Sequence, residues 1–295
     1  MTSKTIWFGI PTVRMQNVPA PLAGAQSTNV SHVEQMQFYN GGTDVERSLA
    51  YHKEYEFEFN APLAGSEGLG VFNKYASGFY GTGLIYFADP YTFETNVFPA
   101  AWASPGLVER GWPAISAFHS SYVATASNTV LQPPRSAVFT ITDSTVPDMP
   151  YRCVVPIPPD YTLYVGVSGS STGAGVVRAR PINPDGSYAT TSNLTLLSPT
   201  GSTRLNTTFA GSSFAAVEFY VTRSSAAAAT VTIASMMARL YPTGFSPVLT
   251  GQHVPGDGHT GLVFADDARV ETYQYIDPPR KALTTRLVEV GAWRA

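Results

Sequence analysis

The stretch YHKEYEFEF, Tyr51 to Phe59, decides the fold class of this chain. Tyr51, Lys53, Tyr55, Phe57 and Phe59 fall on one face, and His52, Glu54, Glu56 and Glu58 on the other. A side-chain period of two marks a strand with one face buried and one in water. The glutamate row reads as the wet face, satisfied by cross-strand neighbours, and not as a metal site. Upstream, His32 to Tyr39 runs into Asn40-Gly41-Gly42, which tolerates positive φ and so predicts a hairpin into that strand. Ile6 to Ile10 is an apolar strand stopped by Pro11, and a proline- and glycine-rich loop is expected to about Gln26.

Residues 66–80 predict a helix. Ser66 can cap it and Glu67 suits its positive end. Leu69, Phe72, Tyr75, Ala76 and Phe79 make one apolar face read as core packing, and Gly78 and Gly81 can end the helix. Strand Leu84–Phe87 follows. From Ser116 to Tyr241 short strands alternate with turns: 137–142, 152–157, 161–168, 176–181, 214–222 and 231–241. That spacing predicts a sandwich or jelly roll. Within 214–222, Val217, Phe219 and Val221 face one way, Glu218 and Tyr220 the other. Asn183-Pro184-Asp185-Gly186 is a strong turn; Ser168–Gly175 and Ser224–Ala229 read as hairpin loops. A second proline–glycine loop spans Thr243–Gly258. Strands 269–275 and 284–290, with Asp277-Pro278-Pro279-Arg280 turning between them, close the chain and are expected to rejoin the N-terminal unit. The expected fold class is therefore mostly β, in three parts. Residues 1–115 form an N-terminal β-sandwich or barrel-like domain with one helix, residues 116–245 a jelly-roll sandwich, and residues 246–295 a loop and two strands that complete the first part.

Composition narrows the function classes. Charged residues make up 13% of the 295-residue chain, about half the usual 25%. Large neutral surfaces suit subunit contacts, whose cores are depleted in charge. The net charge is −3 with no run of Lys or Arg, which argues against nucleic acid as a sequence-specific partner. Cys153 is the sole cysteine, so no internal disulfide forms and synthesis in a reducing cytoplasm is expected. No signal-peptide core opens the sequence, and no apolar run is long enough to insert in a membrane.

The residues that could carry chemistry fail on spacing. His253 and His259 with Asp257 between them could ligate zinc, but HVPGDGH matches no familiar zinc spacing. His119-Ser120-Ser121 lacks a nucleophile elbow, and Asp143 and Asp148 are too loosely spaced for a calcium loop. No catalytic residue, metal or cofactor is expected. Tyr151, Tyr161, Tyr164, Tyr188 and Tyr220 are the aromatic residues placed to stack on a sugar, with Tyr188 and Tyr220 the preferred pair.

The segment Gly83 to Ile115 carries Pro99, Trp102, Pro105, Trp112 and Pro113. Proline denies it a regular helix or a central strand. Trp102 and Trp112, with Trp293 near the chain end, are expected to anchor contacts with a neighbouring domain or subunit.

Two stretches, YFADPYTFETNVFPAAWASPG (Tyr86 to Gly106) and GDGHTGLVFADDARVETYQY…TTRLVEVGAW (Gly256 to Trp293), resemble minor tail proteins of long-tailed phages infecting actinobacteria. The order of parts is similar to distal tail proteins: a β-domain with one helix, then a galectin-like or carbohydrate-module-like sandwich. The resemblance implies a virion protein of the tail tip, made in the host cytoplasm. Its N-terminal domain would form a homo-oligomeric ring, commonly a hexamer, below the tail tube. Tail tube protein, tape-measure protein and other tail-tip proteins would be its partners, and the projecting sandwich would serve host attachment. A ring with a lumen for DNA makes Glu54, Glu56 and Glu58, with Glu46, the candidates to face it, since acidic walls let DNA slide. Stable ring contacts would bury about 1,600 Å² each. The alternative function is a receptor-binding tail protein that holds host cell-wall glycan through the sandwich. The family has no catalytic residues to carry over.

Overall fold

A computed structural model describes residues 5–10, 16–19, 26–37, 43–62, 69–81, 83–88, 96–103, 122–127, 136–141, 152–189, 194–197, 203–225, 227–245, 256, 258, 261–265, 269–273 and 280–289. The chain is mostly β. In the N-terminal part lie β1 (Thr5–Gly9), β2 (Gln16–Pro19), β3 (Gln26–Gln37), β4 (Thr43–Pro62), α1 (Gly70–Ala76), β5 (Tyr86–Ala88) and α2 (Ala100–Ala103). The middle contains β6 (Tyr122–Ser127), β7 (Ser136–Ile141), β8 (Arg152–Pro156), β9 (Tyr161–Gly173), β10 (Gly175–Ile182), β11 (Leu194–Leu197), β12 (Thr203–Ala210), β13 (Ala216–Arg223) and β14 (Ala229–Pro242). The chain closes with β15 (Leu262–Phe264), β16 (Arg269–Tyr273) and β17 (Arg280–Glu289).

Two sheets, ordered β11-β10-β13-β8 and β12-β9-β14-β7-β6, make the sandwich. Alternate residues of both point into one core: Val177 and Phe219 from the first, Val165 and Val231 from the second. A separate sheet, β15-β17-β4-β3 with β16 also on β17, contains the stretch that decided the fold class. There Tyr55, Phe57 and Phe59 are buried while Glu56 and Glu58 are exposed, as period two requires. β17 pairs antiparallel with β4 from Arg280↔Pro62 to Val288↔Glu54, which brings the last strand back to the N-terminal sheet.

The third sheet, β2-β1-β5, lies between the two cores. Ile6, Phe8, Ile85 and Phe87 face the core under α1, whereas Trp7, Tyr86 and Ala88 face the sandwich core. Burial on both faces explains why Ile6 to Ile10 reads as an unbroken apolar run. Helix α1 sits against both sheets of its own unit: Phe72 lies 4.3 Å from Phe8 and 4.9 Å from Phe59.

Several expectations are corrected. Helix α1 ends earlier than 80. Gly78 takes φ 72, and Phe79 N–H and Gly78 N–H donate to the carbonyls of Lys74 and Tyr75, a Schellman ending. Phe79 is thereby swung off the apolar face and is 73% exposed. Ser66 and Glu67 lie outside the described residues. Ser168–Gly173 is strand and not loop, because β14 pairs with it and the turn is confined to Ala174; backbone pairing overrides small-residue composition. The loop expected before Gln26 contains β2, paired to β1. Pro99 starts a helical turn instead of preventing one: its carbonyl accepts from the N–H groups of Trp102 and Ala103, a position where proline's missing N–H is harmless.

Candidate functional site

The four-stranded sheet of the sandwich carries an arginine–aromatic cluster on the side opposite the core. Register places Arg180 beside Glu218 and Arg178 beside Tyr220. The Arg180 guanidinium donates from Nε (2.9 Å) and Nη2 (2.6 Å) to Glu218 Oε2. It also lies 3.8 Å from the Tyr188 ring centroid and 5.2 Å from that of Tyr220. Burial works against its charge, but the hydrogen bond and charge of Glu218 outweigh that and hold its pKa above the ordinary guanidinium value.

Tyr188 is positioned by the Asn183–Gly186 turn read in the sequence. Gly186 N–H donates to the Asn183 carbonyl, Gly186 has φ 84, and Asp185 Oδ1 accepts from Ser187 N–H (2.9 Å) and Oγ–H (2.6 Å). Those two bonds hold the Asp185 carboxyl below its usual range. The bridge Ile182↔Tyr188 then folds the tyrosine back over the strand. The structure therefore brings Tyr188 and Tyr220 together, as the two preferred sugar contacts, but around an ion pair. Tyr220 is 5% exposed and offers no open ring face, a correction to its role as a stacking platform; Tyr188 has one face against Arg180.

A second cluster sits on the five-stranded sheet. Tyr164, Arg239 and Tyr241 lie on its outward side, alternating with the core residues Leu163, Ala238 and Leu240. The Tyr241 ring stacks on Phe245 at 5.1 Å and 13°, and Tyr164 meets Tyr241 edge-on at 5.5 Å. Sequence reading passed over Arg239 and Phe245; the available signal was an arginine two residues before an outward tyrosine near the end of a strand.

The two stretches that carry the family resemblance meet in space. Asn96 bridges to Gly256, Gly258 N–H donates to the Phe98 carbonyl, and Ile85, just before the first stretch, bridges to Leu262. A Cβ at Gly258 would lie 1.8 Å from the Val97 carbonyl oxygen, and one at Gly256 2.4 Å from that of Phe98. The glycines thus permit backbone-to-backbone contact. Buried Asn96 completes the joint where β7 leaves the edge of β14. Its Nδ2 donates to the Met236 carbonyl (2.9 Å), and its Oδ1 accepts from Ala238 N–H (2.9 Å) and Phe98 N–H (3.2 Å).

Trp102 packs into the sandwich core. It is 1% exposed, lies 6.1 Å from Phe98, and Phe98 meets Phe219 edge-on at 4.9 Å. Its area is covered by the sandwich of its own chain, and it anchors the proline-rich segment there. Trp112, Trp293, Glu46's side chain, Tyr151, His119, His253, Asp257 and His259 lie outside what is described. Glu56 and Glu58 are exposed, and Glu54 pairs with Arg286 at 3.5 Å. Cys153 is buried, and burial, with the nearby carboxylates of Glu289 and Glu218, pushes its thiol pKa up, so it stays protonated and unreactive. Among the described residues no three metal-ligating side chains gather, and no helix is long and apolar enough to cross a membrane.

No protein-family description matches the chain, and no curated protein matches it. Among solved structures it is similar to a CBM4 domain, at 13% identity over 41% of this chain and 96% of that one, with a TM-score of 0.30. It is similar to the tandem CBM22-1–CBM22-2 domains of Xyn10C from Paenibacillus barcinonensis, at 11% identity over 60% of this chain and 61% of that one, TM-score 0.31. It is also similar to the enzymatically active domain of tailspike protein 4 of bacteriophage CBA120, at 14% identity over 41% of this chain and 18% of that one, TM-score 0.25. At these scores none of the three carries an inference about this chain.

Proposed function

We propose that this protein is a structural subunit of a phage tail tip. It assembles with copies of itself into a ring that joins the tail tube to the host-recognition apparatus. The observation that carries the reading is the β3–β4 hairpin. Among the described residues β17 accompanies β4 as far as Glu54. Beyond it, Thr43–Lys53 of β4 pair with Asn29–Gln37 of β3 alone among the described residues. At about 3.4 Å per residue that two-stranded ribbon is roughly 35 Å long. A lone two-stranded hairpin is marginal in water, and among the described residues no further strand lies along its edges, whose N–H and C=O groups a neighbouring chain can cover. A head-to-tail contact of this kind closes into a ring when its rotation closes. The resemblance of Tyr86–Gly106 and Gly256–Trp293 to tail proteins supplies the setting, and the exposed Glu56 and Glu58 fit the wall of a lumen through which DNA must slide.

The chain acts without catalysis in this reading. Retaining glycoside hydrolysis needs two carboxyls about 5 Å apart; Glu218, the acid set squarely in a sandwich strand, is 3% exposed and committed to Arg180.

Imaging of the assembled particle with a label on this chain tests the proposal. The label is expected in a ring at the tail tip. Replacing residues 30–52 by an Asn-Gly turn is expected to leave the melting temperature within a few degrees of wild type while removing the ring. Absence of the chain from the tip, or rings that persist without the hairpin, would overturn it. Host-glycan binding through the sandwich is the second reading, favoured by the ring of Phe245, 55% exposed on the five-stranded sheet.

A further inference from the structure

The outer face of the five-stranded sheet has an ordered arrangement that the ring role does not use. Thr208, Tyr164 and Arg239 stand side by side across β12, β9 and β14. Two residues further on, Ala210, Thr162 and Tyr241 form the next row on the same face. Phe245 folds back over Tyr241 from the turn that follows β14. That turn is fixed at several points. Phe245 N–H donates to the Pro242 carbonyl (3.0 Å), Thr243 N–H donates to the Asp160 carbonyl (2.8 Å), and Gly244 supplies φ 92. Tyr164 Oη–H donates to the Phe245 carbonyl at 2.6 Å. One face of the Phe245 ring lies on Tyr241, and the ring remains 55% exposed. An aromatic side chain this exposed is ordinarily free to turn; here the backbone on either side is pinned, so the ordering cost of binding is already met.

Arg239 stands at the hydroxyl edge of this stack. Its Nη1 is 3.4 Å from Tyr241 Oη, and its Nε is buried with no hydrogen-bond acceptor among the described residues. Arg180 on the opposite sheet meets a carboxylate; the outer guanidinium nitrogens of Arg239 meet only a hydroxyl among the contacts of the described residues, next to a flat apolar surface. A pyranose combines an apolar C–H face with a rim of oxygen acceptors, and matches both features at once. The polar neighbours Thr162 and Thr208 add hydroxyls beside the ring. A protein partner fits less well, since one exposed ring falls far short of the roughly 1,000 Å² that a stable protein interface clears.

We propose that Phe245, Tyr241, Tyr164 and Arg239 form a saccharide-binding site, with the open face of Phe245 stacked on a pyranose ring and Arg239 donating to an oxygen at that ring's edge. This deepens the glycan-binding reading and rests on it; it is independent of the ring. Titration of the full-length chain with two probes, cellohexaose and a hexagalacturonate, followed by calorimetry or saturation-transfer NMR, tests it. Saturable binding of at least one probe is expected. Phe245→Ala should weaken it about tenfold with an unchanged melting temperature, because the ring is exposed. Arg239→Gln should weaken the uronate more than the neutral sugar. If wild type binds and Phe245→Ala binds equally well, or if Tyr188→Ala alone abolishes binding, the site is elsewhere and this proposal falls while the glycan reading stands. If neither probe binds wild type, both fall and the ring is untouched.

Discussion

Each outer face of the sandwich carries an arginine among aromatic rings, yet the two clusters are built to opposite ends. Arg180 meets the 3%-exposed carboxylate of Glu218 and lies over Tyr188, so its charge is answered within the chain. Arg239 has a hydroxyl at 3.4 Å, a buried Nε without an acceptor among the described residues, and a neighbouring ring in water. The difference teaches that an arginine beside tyrosines is not a binding motif by itself. Charge balance separates a structural staple from a surface that still has something to offer.

Four substitutions sharpen or break that contrast. Glu218→Ala should have the largest effect, a loss of about 2–3 kcal/mol in chemical unfolding. It leaves a guanidinium without its counter-ion, with the figure held down because the Arg180 side chain keeps 21% of its surface exposed. Adding Arg180→Met should restore part of that loss; a double variant no more stable than Glu218→Ala would mean the pair is not coupled. Tyr188→Ala should cost about 1 kcal/mol through the lost stacking on Arg180. A midpoint unchanged in urea would show that the tyrosine is not part of the staple. Arg239→Gln should change stability least, by less than about 0.5 kcal/mol. A loss as large as that of Glu218→Ala would make the two clusters alike and erase the distinction.

How much of this was legible follows from where each signal is stored. Tyr51 to Phe59 declared itself because its two faces see different solvents, and Asn183–Gly186 because turn chemistry is local. The alternation of Val217, Phe219 and Val221 with Glu218 and Tyr220 was equally plain. β12, TRLNTTFA, and the four-residue β11, LTLL, were missed because they are edge strands, one alternating with only two large apolar residues and the other too short to show a period. The Arg180–Glu218 pair spans two strands 38 residues apart, and only register reveals it. What covers Trp102 was hidden for a related reason: a large apolar side chain announces that it must be covered, not by what. The close approach of Gly256 and Gly258 to Val97 and Phe98 was hidden in the same way, since two short glycine pauses in a loop do not name the distant backbone they accommodate.

The return of β17 to β4 has a consequence during synthesis. The edge of β4 from Pro62 to Glu54 emerges from the ribosome roughly 220 residues before the strand that covers it, a delay of about 10–40 s at 5–20 residues per second. Within that interval the strands of the sandwich are all made and can pair with one another. The sheet begun with β3 and β4 is thus the last to close, and nascent chains crowded on one message run their greatest risk of pairing the wrong β4 while its own partner is still being translated.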